Sequence, residues 1–275
     1  MKMEKNANAQ TLNLLQITDC HLTKDAKSDL LGVVTRDSLG AVLARVAANI
    51  QSQVHAAPDF MVASGDLAQD ASAQAYQYFR EETKSLCELS GWFSGNHDDT
   101  QVMTQSLPDK EVFSKVRRFD HWQIILLDSS VRGSVHGHLN DSELDLLEKT
   151  LLEAPDLHTL VCLHHHPLDI GSTWLDKIGL HNRDAFFDIL DRFDNVRGVL
   201  WGHIHQEWDS KRRGVSMLAT PSTCIQFLPK SSGFAVEAVA PGYRSLSLHA
   251  DGIIETKVYR AEDFKFNLDL KSTGY

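Results

Sequence analysis

An α/β fold, one domain with two stacked sheets flanked by helices, is predicted by three features of this 275-residue sequence. Short apolar runs alternate with segments of helical period over the first two thirds, as βαβ units require. From about residue 215, strand-like pieces follow one another at Pro-Gly and Asp-Gly turns with no helix between them, which adds antiparallel strands. No linker, internal repeat or low-complexity tract parts the two stretches. One domain over 1–275 is the economical reading, with residues 1–11 and the polar tail 263–275 at its periphery.

Taken in order, the predicted strands are Leu12–Ile17, Phe60–Ser64, Gly91–Ser94, Gln123–Asp128, Thr159–Leu163 and Arg197–Trp201. Leu39, Leu43, Val46, Ile50 and Val54 form one apolar stripe of helical spacing, and Tyr76, Phe79, Thr83 and Leu86 a second. Asn140 with Glu143 predicts a capping box, with Leu139 and Leu144 as its staple, opening a helix that runs to Glu153 ahead of Pro155. Phe186, Leu190 and Phe193 mark a fourth helix. SGFAVEAVA, YRSLSLHADG and IIETKVYR supply the late strands.

The net charge of −10 argues against a nucleic-acid partner, which calls for a basic footprint. The only basic clusters, KVRR at 115–118 and KRR at 211–213, read as solvated surface. The opening MKMEKNANAQ has no apolar centre, so no signal peptide is expected, and every apolar run is far shorter than the roughly 18 residues of a membrane span. Cys20, Cys87, Cys162 and Cys224 show no CxxC pairing, which suits reduced thiols in the cytoplasm.

Five predicted strands end in the same kind of residue. LLQITDCH places Asp19 and His21 after the first, FMVASGD places Asp66, and WFSGNHD places Asn96, His97 and Asp98. TLVCLHHHP supplies His164, His165 and His166, and VLWGHIH supplies His203 and His205. Open α/β sheets bind ligands beyond the carboxyl ends of their strands. Strand alternation would point His203 and His205 one way, with Ile204 into the core and Cys20 away from its two neighbours. Seven of the 14 histidines lie in these motifs, too many for chance surface placement.

Three carboxylate or amide oxygens and four imidazoles exceed one tetrahedral zinc site, and the lack of thiolate suits Fe, Mn, Zn or Co. Two ions roughly 3.5–4 Å apart would use all seven, with Asp66 as the bridge because Gly65 lets the backbone turn tightly there. His136 and His138 (VHGHL) follow no apolar run, and His136 is at most a rim residue. Phosphate loops, GxSxG elbows, GxGxxG turns and CxxC zinc frameworks are all missing from the sequence.

The series D-x-H (19–21), G-D (65–66), G-N-H-D (95–98), H-H-x-P (164–167) and G-H-x-H (202–205) resembles the calcineurin-like metallophosphoesterase superfamily. LLGV, GDLAQDASAQAYQYF, LHHHPLDIGSTWLD, GHIHQEWD, TPSTCIQF and LHADG resemble, within it, the bacterial class III 3′,5′-cyclic AMP phosphodiesterases, over nearly the whole chain. The resemblance implies a four-layer α/β/β/α sandwich with a dinuclear centre. One metal would take Asp19, His21, Asp66 and His205, the other Asp66, Asn96, His164 and His203. The H-x-P spacing favours His165 in place of His164, whereas the fuller H-H-x-P alignment favours His164. Iron and manganese are the implied metals, with zinc or cobalt as substitutes.

The implied reaction is hydrolysis of 3′,5′-cyclic AMP to 5′-AMP by a metal-bridging hydroxide, lowering cyclic AMP in the cell. Asp66, Asn96 and His97 would carry catalysis, His97 protonating the leaving 3′ oxygen with Asp98 orienting it; the alternative role for His97 is to support the metals. His21, Asn96, His97, His164 and His205 would line the phosphate. Three other readings stand beside this one: a phosphodiesterase for other small diesters (2′,3′-cyclic nucleotides, glycerophosphodiesters), a metal-binding scaffold without catalysis, and a nuclease, which the acidic charge disfavours. The partner expected is a small cyclic nucleotide, with neither nucleic acid nor membrane, in a monomer or homodimer.

Overall fold

Residues 11–274 are described by the computed structural model. Strand β1 (Leu12–Ile17) is followed by a short hairpin of β2 (Asp29–Leu30) and β3 (Val33–Val34), then α1 (Thr35–Gln51), β4 (Phe60–Ser64), α2 (Ala73–Lys84), β5 (Ser90–Phe93) and α3 (Thr100–Ser106). Next come β6 (Val116–Arg118), β7 (Trp122–Leu126), α4 (Asp141–Glu153), β8 (His158–Cys162), α5 (Arg183–Leu190) and β9 (Val196–Trp201). The described chain closes with β10 (Trp208–Arg212), β11 (Val215–Ala219), β12 (Gln226–Phe227), β13 (Val236–Glu237), β14 (Gly242–Leu248) and β15 (Ile254–Arg260). Two large sheets result, ordered β15-β14-β1-β4-β5 and β10-β11-β9-β8-β7-β6. In the first, β1, β4 and β5 run parallel; in the second, β7, β8 and β9 do.

Alternation along the strands sorts the apolar residues into three cores, which is what makes four layers. Leu12 and Leu14 of β1 meet Ile124 and Leu126 of β7 and Leu160 and Cys162 of β8 between the sheets. Leu15 and Ile17 face the other way, under α1 and α2 with Val42, Val46 and Phe79. Ile125, Val161 and Val199 face α4 and α5 with Leu147 and Phe186. Gln16 is a polar member of the inter-sheet face, fully buried, and its amide joins the two sheets by donating to Ser64 Oγ (2.7 Å) and to the Trp201 carbonyl (3.0 Å).

The four-layer α/β architecture is therefore as the sequence implied, with local corrections. Helix α1 stops at Gln51, before Val54, because Gln53 (φ 56°) closes a Schellman turn in which Val54 N–H reaches the Asn49 carbonyl at 2.9 Å. Only half of the capping box forms: Asn140 accepts from Glu143 N–H, but the Glu143 carboxylate turns to Lys115 and the Asp128 N–H. Of SGFAVEAVA only Val236–Glu237 is strand, and the hairpin of β10 and β11 went unpredicted. The two basic clusters fall on β6 and β10, the two edges of the second sheet, where charge deters pairing with another chain.

From Asp263 the tail packs Phe264, Phe266 and Leu268 on the outer core, and Asp269 N–H donates to the Leu31 carbonyl at 2.9 Å. All four cysteines are buried and free, Cys20 among the helix-side residues of the first sheet. Among the described residues no helix is long and apolar enough to cross a membrane.

Candidate metal centre

The chain leaves β1, β4 and β9 through left-handed backbone: φ is 54° at Asp19, 48° at His21, 49° at Asp66, 67° at His203 and 49° at His205. Such conformations cost non-glycine residues about 1–3 kcal/mol each and need over-determined surroundings. Main-chain bonds supply them. Asp19 N–H donates to the Gly65 carbonyl (3.0 Å), His21 N–H to the Asp66 carbonyl (2.9 Å), and His203 N–H to both Asp19 carboxylate oxygens (3.1 Å). Strand alternation is thus overturned for GHIH. Ile204 does enter the core, but His203 and His205 lie beyond the end of β9 and face different clusters.

Around Asp19, His21 and His205 bring Nε2 atoms to 3.1 Å from each other, with Asp19 Oδ1 3.4 Å from the second. Their Nδ1 atoms are engaged elsewhere, His21 with Gln69 Oε1 (2.6 Å) and His205 with the Ile225 carbonyl (2.9 Å). These acceptors fix the protons on Nδ1, so two Nε2 lone pairs confront each other across a buried gap. Burial, with His97 and His205 beside it, pushes His21 down to about 3, so near neutral pH a proton does not fill that gap. A cation does fit it.

Around Asn96 the pattern recurs. His164 Nδ1 donates to the Ser64 carbonyl (2.8 Å), leaving Nε2 3.3 Å from Asp66 Oδ2. His203 Nε2 is 3.1 Å from the Ile178 carbonyl, leaving Nδ1. His165 Nδ1 meets the Ser129 hydroxyl at 2.8 Å. Asn96 Oδ1 and His165 Nε2 are buried without a hydrogen-bond partner, each at roughly 1–3 kcal/mol if left so, and His164 Nε2 has only the Asp66 carboxylate to face. Donor atoms within 4.8 Å of one another form overlapping sets, Asp19–His21–His205, Asp19–Asp66–His164, His164–His165–His203 and His21–Asp66–His97, and Asp66 belongs to two of them. Burial would raise Asp66, but His164 and His97 hold it well below the usual carboxylate range. Nitrogen and oxygen donors of this kind, soft thiolates excluded, suit two divalent cations sharing one carboxylate.

Two glycines make the approach possible. Gly65 turns the chain at φ 88°, and a Cβ there would lie 2.5 Å from His164 Nδ1. At Gly202 a Cβ would lie 2.2 Å from Thr18 Oγ1 and 2.6 Å from Asp19 Oδ2.

His97 is half-buried, its ring centroid 5.0 Å from that of His21, and its N–H donates to Asp66 Oδ1 at 2.8 Å. Asp98 accepts from the N–H groups of Gly95 (2.9 Å), Leu67 (3.3 Å) and Ala68 (3.0 Å), tying the Asn96 turn to the Asp66 turn. His136 stacks on His181, centroids 3.8 Å apart, where Gly137 bridges to Leu180 beside His165. The TPSTCIQF segment scaffolds the Asp19 cluster: Ser222 donates to the Asp19 carbonyl (2.7 Å), and Phe227 stacks on His205 at 4.1 Å. Sequence reasoning missed Gln69, Ser129 and the carbonyls of Ser64, Ile178 and Ile225. Gln69 and Ser129 act through side chains, and Gln69, three residues past Asp66, was the nearer of them to a motif already in view.

The calcineurin-like phosphoesterase model matches residues 12–207. The chain is 45% identical over 271 residues (98% of this chain, 97% of the relative) to the 3′,5′-cyclic adenosine monophosphate phosphodiesterase CpdA of Escherichia coli. It is 42% identical over 262 residues (95% and 94%) to that of Pseudomonas aeruginosa. Among solved structures, a dimetal phosphatase from Danio rerio covers 91% of this chain and 99% of its own at TM-score 0.64 and 14% identity, which speaks for the fold alone. Motifs, fold and identity converge, and the chain belongs to the calcineurin-like phosphoesterase family.

Proposed function

We propose that this chain hydrolyses 3′,5′-cyclic AMP to 5′-AMP at two divalent cations. The observation that carries the chemistry is the pair of buried donor clusters meeting on Asp66, with Asn96 Oδ1 and His165 Nε2 buried beside it without a hydrogen-bond partner. The substrate follows from identity above 40% over nearly the full length of relatives named for cyclic AMP hydrolysis.

Asp19, His21, Asp66 and His205 would hold one ion, and Asp66, Asn96, His164 and His203 the other, with iron or manganese favoured over zinc or cobalt. When bound, two such ions supply positive charge against the phosphodiester and water acidified towards neutral pH. Asp66 and Asn96 keep the diester's approach fixed between the two clusters, and His21, His164 and His205 line its phosphate. His97 would pass a ring proton to O3′ as the P–O3′ bond breaks and the new P–O bond to water forms, and the proton that the attacking water releases to solvent balances the one His97 takes back. Asp98 serves this step through the backbone, anchoring the turn that carries His97.

The test is hydrolysis by purified protein, with and without Fe2+ or Mn2+, of 3′,5′-cyclic AMP, 2′,3′-cyclic AMP and a simple aryl phosphodiester. Metal-dependent release of 5′-AMP, preferred over the other two, is expected. Cleavage of the aryl diester alone would remove cyclic AMP as the substrate and keep the hydrolase. Inert protein shown to hold two ions would leave a scaffold.

A further inference from the structure

A cavity of about 350 Å³ opens beside Asn96, between the turn that carries it and the 128–133 loop. That volume is within the range of small-molecule sites, roughly 300–1,000 Å³. Gly95 and Asn96 line it, and Gly95 lies against Asp66 and His164, so the cavity borders the second cluster. Two of its lining side chains make no hydrogen bond or ion pair among the described residues. Arg132 stands exposed in a tight turn, closed by Ser134 N–H on the Val131 carbonyl (2.9 Å) with Gly133 at φ 74°. Gln101 is exposed in the first turn of α3, where only its N–H is used, by Asp99. Asp99 and Asp128 complete the wall and bar a further anionic group from it.

The chemistry of that wall is selective. A planar guanidinium without a carboxylate partner stacks on an aromatic face, which an ammonium does less well. A carboxamide offers one donor and one acceptor side by side, the pattern that pairs with the amino and ring-nitrogen edge of adenine. We propose that this cavity is the nucleoside subsite, with Arg132 stacking on the base and Gln101 reading its edge, so that the two residues set the preference for adenine. The assignment rests on the diester-hydrolase reading above for its phosphate end.

The test compares binding of 5′-AMP and ribose 5-phosphate to Mn2+-loaded protein by calorimetry, since the second ligand lacks only the base. Roughly tenfold tighter binding of 5′-AMP is expected, the order of one base on one plate. Arg132→Ala should shrink that ratio to about twofold or less. Gln101→Ala should mainly narrow the gap between 5′-AMP and 5′-GMP, by about three- to tenfold. Both side chains are exposed and unbonded, so the variants keep the fold. Equal binding of both ligands by the parent protein overturns the subsite. Full rescue by Arg132→Lys also overturns it, since charge without the plane would then suffice. Base-dependent binding without cyclic AMP hydrolysis would uphold the subsite and remove the substrate reading, and hydrolysis without base-dependent binding would do the reverse.

Discussion

Around Asp19, each imidazole gives its far N–H to an oxygen that only accepts: Gln69 Oε1 for His21 and the Ile225 carbonyl for His205. Around Asn96 the same holds for His164 and His203, through the Ser64 and Ile178 carbonyls, but His165 faces a hydroxyl that can donate or accept. The first cluster therefore has one protonation pattern and is enclosed. The second holds one imidazole more than the first, leaves Asn96 Oδ1 and His165 Nε2 unsatisfied, and borders the cavity beside Asn96. A shared plan has produced a closed half and an open half. This also bears on the choice within the triple histidine. A ligand histidine needs its tautomer fixed by the group behind it; the Ser64 carbonyl does this for His164, while His165 Nδ1 meets the Ser129 hydroxyl.

The largest effect should come from the residue common to both halves. Asp66→Asn should lose both ions and lower hydrolysis by more than about 10³-fold, beyond the loss of any single donor; metal content and rate measured together check it. Next, His164→Ala should leave about one ion per chain and lower the rate on the order of 10²–10³-fold, whereas His165→Ala should keep two ions and lose about tenfold. The reverse result would move the ligand to His165. His97→Ala should retain both ions and lower turnover about 10²-fold. Loss of metal from that variant would make His97 a support of the centre instead of its proton donor.

How far the sequence displayed all this depends on the kind of signal. The strands β1, β7 and β8 were legible as short apolar runs, and their alternation divides the apolar residues between the inter-sheet and helix-side cores, because a period of two is a property of the extended chain. The seven candidate ligands were visible as residue types at strand ends, and the aspartates and histidines among them fall into overlapping groups of donor atoms. The division of GHIH between two clusters was hidden, since it depends on left-handed backbone at His203 and His205 that no side-chain pattern encodes. Main-chain acceptors such as the Ser64 and Ile178 carbonyls carry no residue signature at all. Charged β10 was missed because an edge strand lacks an apolar face of its own.

A pH titration of metal loading separates the two halves most finely. Burial lowers His164, but the Asp66 carboxylate beside it wins and raises it to about 9. His21, by contrast, is held at about 3 by burial, His97 and His205. A cation binds only the neutral imidazole, so below pH 9 it must displace a proton from His164 but none from His21. The sign follows: affinity of the Asn96 half falls about tenfold for each unit below 9, while the Asp19 half is indifferent to His21 between pH 6 and 8. At limiting Mn2+, lowering the pH from 8 to 6 should weaken the second ion about 100-fold and leave the first in place. Stoichiometry after dialysis at each pH, with calorimetry in buffers of different ionisation enthalpy to count the released proton, checks both parts. Loss of the two ions in step would mean that Asp66 couples the halves more tightly than their separate surroundings divide them.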